Sequence, residues 1–505
     1  MSIFKKLSRS SGILSSFVIG CPEAEGETGN SSMHISDVFE DFLDIMGALN
    51  NGKFIIAGRK GSGKSAIAEY ILNEVNKDAN VFANRIKMSD FKIHRILEIS
   101  NQASIDEEFL IEWVLYTNFA QLLVQDQALS RDSRIKPLKK FLRYNLGYVN
   151  ISDDAVRELR ESRDWKVQIG PLTDLAAKFN FAKKTEIFKG RPHYYEILPV
   201  LREVIKNIIT DIHEQSSIKN EYILFIDDLD VGVTIQNKRS LDIIYDLVKK
   251  TREINLSFAQ TFKVILLLRD DISNVIAENY PDSGKIFSSY AIFLNWYDAT
   301  KYAKNENAVP LKSFINKRIE RCFDNAKIPH SSDVWYDLIK ADFSAYDKTS
   351  FDVVLQSSFF KPRDIILFFA KLPEHNFSIP IQSSNFDELL LDMADGLFTE
   401  TCNELTLFYS EDELDICKKT MHHFSKSQFS YEDFYHYVDD FNNGIDSKKL
   451  LERFWNYSIV GNITQKNDRK HVFLLIVMRK LICRYNLLYP LQYETTLTEE
   501  NYFIN

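Results

Sequence analysis

Apolar positions along the chain follow two rhythms. Up to about residue 295, short unbroken apolar runs alternate with stretches in which apolar residues recur every three or four positions. The runs are 53–57 (KFIIA), 81–86, 222–226, 263–268 and 290–294. Each is too short for an ordinary helix, and all but 81–86, which carries Asn84 and Arg85, are apolar at four or more consecutive positions, as a strand covered on both faces is. Helical spacing is clearest in Phe109–Leu123 and Ile197–Ile212. It is also present at Val38, Phe39, Phe42, Ile45 and Met46, which predicts one helix over His34–Leu49. Strand alternating with helix predicts an α/β fold with a parallel sheet of about five strands flanked by helices. From Leu311 onward the strand runs stop. Leu311–Phe323, Val334–Ile339 and Asp364–Leu372 have amphipathic helical spacing, which predicts an all-helical region.

Candidate chemistry sits where the runs end. Between the first strand and the next helix lies Gly58-Arg59-Lys60-Gly61-Ser62-Gly63-Lys64-Ser65-Ala66, which matches G-x-x-x-x-G-K-[ST] without a mismatch. Glycines allow backbone N–H groups to curl around a polyphosphate, and the following helix presents its positive end to the same anion. Lys64 is expected to reach the β- and γ-phosphates, and the Ser65 hydroxyl to ligate Mg²⁺. The cofactors implied are ATP and Mg²⁺, with residues 58–66 as the nucleotide-binding set.

The third run ends in Asp227-Asp228, carboxylates at the strand edge where ligands of open α/β sheets bind. Asp227 is expected in the Mg²⁺ shell and Asp228 beside the attacking water. The fourth run ends in Arg269, placed to sense the γ-phosphate, although a strand-capping surface arginine fits equally well. In Lys361-Pro362-Arg363-Asp364 the proline suits a helix's first turn, and Arg363 is a second candidate phosphate sensor.

Composition narrows the setting. A hydrophobic fraction of 45% in 505 residues, with few Pro and Gly, supports several folded, helix-rich domains and excludes a disordered chain. Net charge −9 and a pI near 5.7 give no global attraction to nucleic acid or anionic membrane. The five cysteines are scattered without metal-ligand spacing, which suggests a reducing compartment. Lys5, Lys6 and Arg9 precede Val18-Ile19-Gly20-Cys21, a lipoprotein-like box. Ser10, Ser11, Ser15 and Ser16 interrupt its apolar part, so the expectation is a cytoplasmic protein with no membrane partner. No G-x-S-x-G elbow or H-E-x-x-H helix is present.

Residues 1–36 read as a flexible N-terminal arm, with Gly26, Gly29, Asn30, Ser31 and Ser32 as a break. Residues 37–300 form the P-loop NTPase domain, with a helical insertion over about 89–217. Within it Arg131, Arg134, Lys136, Lys139 and Lys140 read as a solvated face. Residues 301–384 form a helical lid. The segment 385–446 is acidic, with 15 Asp and Glu against 3 Lys and Arg, and 447–484 reverses the sign with 9 against 2. Ser447–Val460 reads as a helix, followed by a hairpin with its tip at Gln465–Lys470 and a returning run Val472–Val477. That outline makes 447–505 a winged-helix-like module. Lys466, Arg469 and Lys470 would occupy the wing tip. DNA contact through 447–484 remains the weaker alternative to a protein partner, because winged helices also bind proteins and the acidic segment could receive the basic face.

With these motifs in place, the chain resembles prokaryotic P-loop ATPases of anti-phage defence loci, related to the AAA+, STAND and KAP groups. The likeness lies in GRKGSGKSA (58–66), FIDDLD (225–230), LLRDDI (267–272), KPRD (361–364), LYPL (488–491) and the lead-in GCPEAEGE (20–27). It implies nucleotide and magnesium roles for Lys64, Ser65, Asp227 and Asp228, and phosphate-sensing roles for Arg269 and Arg363. Asp228 stands where fast AAA+ motors have Glu, one methylene longer, which implies slow hydrolysis. The expected function is an ATP-hydrolysing switch working with a partner effector. An initiator-type, DNA-handling AAA+ ATPase and a nucleotide-bound scaffold with little turnover stay open, as does a homo-oligomer.

Overall fold

The computed structural model describes residues 13–29, 32–87, 107–144, 194–214, 220–229, 238–258, 261–298, 305–346, 348–406, 408–424, 428–441, 444–457, 459–465 and 468–475. The chain forms two compact units. One consists of Leu43–Arg59 and Lys64–Leu294. The other consists of Met1–Phe42, Lys60–Gly63 and Asn295–Asn505.

The first unit holds the sheet. All five expected strands are present: β1 (Ile55–Ala57), β2 (Val81–Lys87), β3 (Glu221–Asp227), β4 (Phe262–Leu268) and β5 (Ala291–Phe293). They pair in parallel in the order β2-β3-β4-β1-β5. Parallel strands need crossovers that put helices on the sheet faces, so the central strands lose their solvent on both sides. Accordingly Ile55, Ile56 and Ala57 are wholly buried, as are Val264, Leu266 and Leu268. The helices Glu107–Gln125, Tyr194–Glu214 and Lys238–Ser257 supply Trp113, Phe119, Leu201, Ile205, Ile244 and Val248 to the same core. The loop helix α1 (Lys64–Val75) and α2 (Asp270–Asn279) follow β1 and β4.

Two expectations for this part of the chain need correction. The helix expected over His34–Leu49 is two short ones, Ile35–Val38 and Ile45–Asn50. Asp44 separates them, left-handed at φ 50° and accepting the Gly47 N–H at 3.3 Å, so it starts the second helix. In the insertion, Arg131, Lys136, Lys139 and Lys140 are exposed as expected, but Arg134 is buried and ion-paired with Asp132 and Asp211. Residues 145–193 of that insertion lie outside the described residues.

The second unit is mainly helical: α3 (Pro310–Ala326), α4 (Pro362–Phe369), α5 (Ser383–Leu405), Glu411–His423, Tyr431–Asp439 and α6 (Ser447–Asn456). The acidic segment owes part of its composition to capping. Ser410 with Glu413 and Ser430 with Asp433 form reciprocal capping boxes, and Glu411, Asp412, Glu432 and Asp433 complement the positive helix ends. The antiparallel strands expected after the Ser447–Val460 helix are present, and short strands that the apolar pattern does not show join them after Leu311. β6 (Ile339–Lys340) pairs in parallel with β7 (Ile381–Gln382), each only two residues long and below any periodicity window. β8 (Gln428–Phe429), β9 (Val460–Gln465) and β10 (Asp468–Leu475) form a sheet in the order β8-β10-β9. α6 ends at Asn456, and Arg469 and Lys470 belong to β10 instead of the hairpin tip. Lys466 and the LYPL run at 488–491 lie outside the described residues.

The N-terminal arm is packed where it is described. Leu14, Phe17, Ile19, Met33 and Ile35 are buried, and Phe17 meets Phe323 edge-on at 5.3 Å. Glu27 and Arg318 form a buried ion pair at 2.9 Å. Isolated apolar residues with a polar stretch between them look loose locally, and only their burial against α3 reveals their role.

Candidate functional site

The phosphate-loop sequence runs from the end of β1 to the start of α1. Gly58 anchors it to the end of β4: its N–H donates to the Leu268 carbonyl at 3.2 Å, and its carbonyl accepts the Asp270 N–H at 3.4 Å. Gly61 and Gly63 are left-handed, at φ 81° and 98°, a region that side chains with a Cβ rarely adopt. Lys64 turns its Nζ inward along the loop, donating to the carbonyls of Gly58 (2.7 Å) and Arg59 (3.0 Å). Ser65 and Ala66 occupy the first turn of the twelve-residue α1, where backbone N–H groups have no intrahelical acceptor. An anion placed there meets N–H dipoles and the Lys64 ammonium together.

Asp227 ends β3, in register with Lys87 of β2, and is 3% exposed. Its Oδ1 accepts the Asp228 N–H at 2.8 Å. Its Oδ2 is buried without a hydrogen bond, and the Arg85 Nη1 lies 3.6 Å away. Arg85, on β2, donates from Nη2 to Glu69 Oε1 of α1 at 2.8 Å. A buried carboxylate oxygen with open lone pairs, at the end of a strand in the same parallel sheet as the one that leads into the loop, suits a divalent cation. Together with the Ser65 hydroxyl it fits Mg²⁺, which takes few protein ligands and keeps phosphate oxygens and waters. Asp228 is left-handed at φ 55°, a conformation Asp tolerates better than most residues, and its carboxylate is 4.0 Å from the Lys87 Nζ.

Because β4 lies between β1 and β3, residues at its end flank both the loop and the acid pair. Arg269 there is 5% exposed and holds Asp271 in two hydrogen bonds, Nε at 3.1 Å and Nη2 at 2.6 Å. Its guanidinium is thus engaged by its own neighbour. Asp270 is the residue at this end that sequence reading passes over. Burial, helped by Asp271, raises its carboxyl above the ordinary range, while Arg59 and Lys64 pull the other way.

Residues 60–63 belong with the helical unit. There the Trp296 Nε1 donates to the Ser62 carbonyl at 2.8 Å, and the Arg363 N–H donates to the Gly61 carbonyl at 3.3 Å. The Arg363 side chain lies over Gly61 and donates to Glu400 Oε2 at 3.0 Å and to the Pro22 carbonyl at 3.3 Å. Lys60 approaches the same Glu400 oxygen at 3.8 Å. One turn further along α5, the buried Glu404 takes Lys361 at 3.1 Å. α5 therefore holds both basic residues of the Lys361-Pro362-Arg363 turn.

Sequence reading found the loop and acids but missed Glu69, Arg85, Asp270, Trp296 and Glu400. Glu69 carried a usable signal, since four residues after Ser65 is one helical turn on the same face. The others depend on strand order or long-range packing. The geometry makes Gly61 stringent: a Cβ there would lie 3.0 Å from the Arg363 Cβ, at a φ side chains avoid. Gly61→Ala is expected to weaken nucleotide binding at least tenfold and to lower the melting temperature, as read by titration and by scanning calorimetry.

The sequence matches no protein-family model, and no curated protein matches it either. Solved structures similar to this chain include the Drosophila ORC bound to DNA, at 10% identity and TM-score 0.30 over 94% of this chain and 92% of that one. The Aeropyrum pernix ORC2 protein in its ADP form is 11% identical at TM-score 0.30, covering 84% and 83%. Cdc6p from Pyrobaculum aerophilum is 9% identical at TM-score 0.30, covering 92% and 97%. Among the described residues, no helix is long and apolar enough to cross a membrane.

Proposed function

We propose that this protein is an ATP-binding and slowly ATP-hydrolysing switch, the ATPase component of an anti-phage defence system that acts through a partner effector. The observation that carries the ATPase part is the joint placement of the loop and Asp227. A perfect phosphate-loop sequence opens α1, and on the same sheet Asp227 presents a buried oxygen with no hydrogen bond. The defence part rests on the motif resemblance alone.

In this reading Lys64 exchanges its loop carbonyls for phosphate oxygens, and the first-turn N–H groups of α1 hold the same anion. Ser65 and Asp227 hold Mg²⁺, which when bound offsets charge on the β- and γ-phosphates. Asp228 orients the attacking water; its left-handed backbone sets the direction of a side chain one methylene shorter than Glu. Arg269 reports the phosphate state by exchanging Asp271 for it, a carboxylate-for-phosphate swap on a guanidinium. The same sensing role for Arg363 rests on the motif resemblance alone.

A second reading, a DNA-handling initiator-type ATPase, draws on the basic run from Ser447, where a capped helix is followed by the β9–β10 hairpin. Hydrolysis assays with and without duplex DNA separate the two, since only the second predicts stimulation by DNA. For the leading reading, Asp228→Asn is expected to keep ATP affinity within about threefold and to slow hydrolysis by roughly 10²-fold or more, the scale of a lost general base. Hydrolysis at the parental rate would remove Asp228 from the chemistry.

A further inference from the structure

We infer that Arg85 is a positioning residue for Asp227, tethered by Glu69 so that it steadies the carboxylate without occupying its metal-facing oxygen; this rests on the nucleotide-binding reading above. Three elements converge here. Glu69 stands on α1 one turn after Ser65, Arg85 on β2, and Asp227 at the end of β3. Their side chains are 11%, 10% and 5% exposed, so their mutual Coulomb energy is little screened by water.

The distances are unequal in an informative way. The guanidinium is hydrogen-bonded to Glu69 at 2.8 Å yet stays 3.6 Å from Asp227 Oδ2, beyond hydrogen-bonding length but well within electrostatic range. An arginine free to choose would close bidentately on Asp227 and compete with a cation for the same lone pairs. Glu69 holds it back. The other Asp227 oxygen is fixed by the Asp228 N–H at 2.8 Å, so the carboxylate is oriented from both sides while Oδ2 keeps its open lone pairs. The guanidinium also offsets one of two nearly buried negative charges: the trio carries −1 with it and would carry −2 without it, leaving the carboxylates to repel.

Groups that orient a metal-binding side chain typically change metal affinity or activity by about 10–100-fold when lost. The test measures binding of a fluorescent ATP analogue at rising Mg²⁺ and in EDTA, in parent and variants, beside a thermal melt. Arg85→Met, which keeps the apolar stem, is expected to raise the Mg²⁺ concentration for half-maximal tightening about tenfold or more. Affinity in EDTA should stay within twofold. Glu69→Gln loosens the tether, lets Arg85 close on Asp227, and should also raise the Mg²⁺ requirement, at least threefold. Arg85→Lys, with the charge but not the fork, should recover part of the loss. A Mg²⁺ requirement within twofold of the parent in Arg85→Met overturns the inference. So does an equal loss of affinity with and without Mg²⁺, which marks a purely structural pair. Should Arg85→Met not fold, Glu69→Gln decides by the same criterion. A parent protein that binds the analogue without any Mg²⁺ dependence overturns the metal-site reading together with this one. A Mg²⁺-dependent parent beside unaffected variants overturns this one alone.

Discussion

Lys64→Ala is expected to abolish nucleotide binding while leaving the fold standing. The Lys64 ammonium faces two loop carbonyls at 2.7 and 3.0 Å, and in the bound state it would face phosphate oxygens instead. Hydrogen bonds to charged groups contribute about 1.5–3 kcal/mol each. Losing two of them weakens ATP by at least ~100-fold, since about 1.4 kcal/mol corresponds to tenfold in affinity. Lys64 holds the folded loop through polar contacts to carbonyls and not through buried apolar area, so the melting temperature without nucleotide should stay close to the parent's. Calorimetric titration with ATP and ADP checks the first part and a thermal melt the second. Undiminished affinity in this variant would remove the basis of the ATPase reading.

The largest expected effect on stability lies far from the loop. Glu27→Ala should destabilise the helical unit by about 3–5 kcal/mol, the usual cost of stranding one member of a buried ion pair. Glu27 is 3% and Arg318 4% exposed. The two Glu27 oxygens accept the Cys21 N–H at 3.1 Å and the Arg318 Nη2 at 2.9 Å. Arg318 also donates to the Val38 carbonyl at 3.0 Å, lies over the Phe314 ring at 3.8 Å, and has an Nε buried without a hydrogen bond. Burial already pulls this guanidinium below its ordinary pKa despite Glu27. Replacing both residues, as in Glu27→Leu with Arg318→Met, should recover most of the loss, because apolar pairs of similar volume are often as stable as buried ion pairs. Urea unfolding of the two single variants and the double variant measures this cycle. A cost below about 1 kcal/mol for Glu27→Ala would mean that the N-terminal segment is not docked through this pair.

Both predictions mark where local pattern stops being informative. Lys64 is legible because its chemistry needs neighbours a fixed few residues away: glycines before it, a hydroxyl after it, a helix start around it. Glu27 is not legible, because its partner lies 291 residues downstream. The same distinction separates the helix predicted over His34–Leu49 from the two helices present. Apolar spacing continues across the break, and the interruption comes from the backbone of Asp44, which spacing does not encode.

The sequence by itself determined the five parallel strands, the loop that closes the first of them, and the acids that end the third. The apolar runs of the central strands and the fixed glycine–lysine–serine spacing are properties of contiguous residues, the first imposed by burial on both faces and the second by phosphate-loop chemistry. The edge strand β2, with Asn84 and Arg85, is legible only from its place in the strand–helix alternation. Only the tertiary structure decided the rest. It packed the N-terminal segment, engaged Arg363 with Glu400, and brought Glu69 and Arg85 beside Asp227. Each of these depends on which strand lies next to which and on how a charge buried by packing finds a counter-charge. Desolvation makes such pairing compulsory, but the chain can meet that demand from any sequence distance.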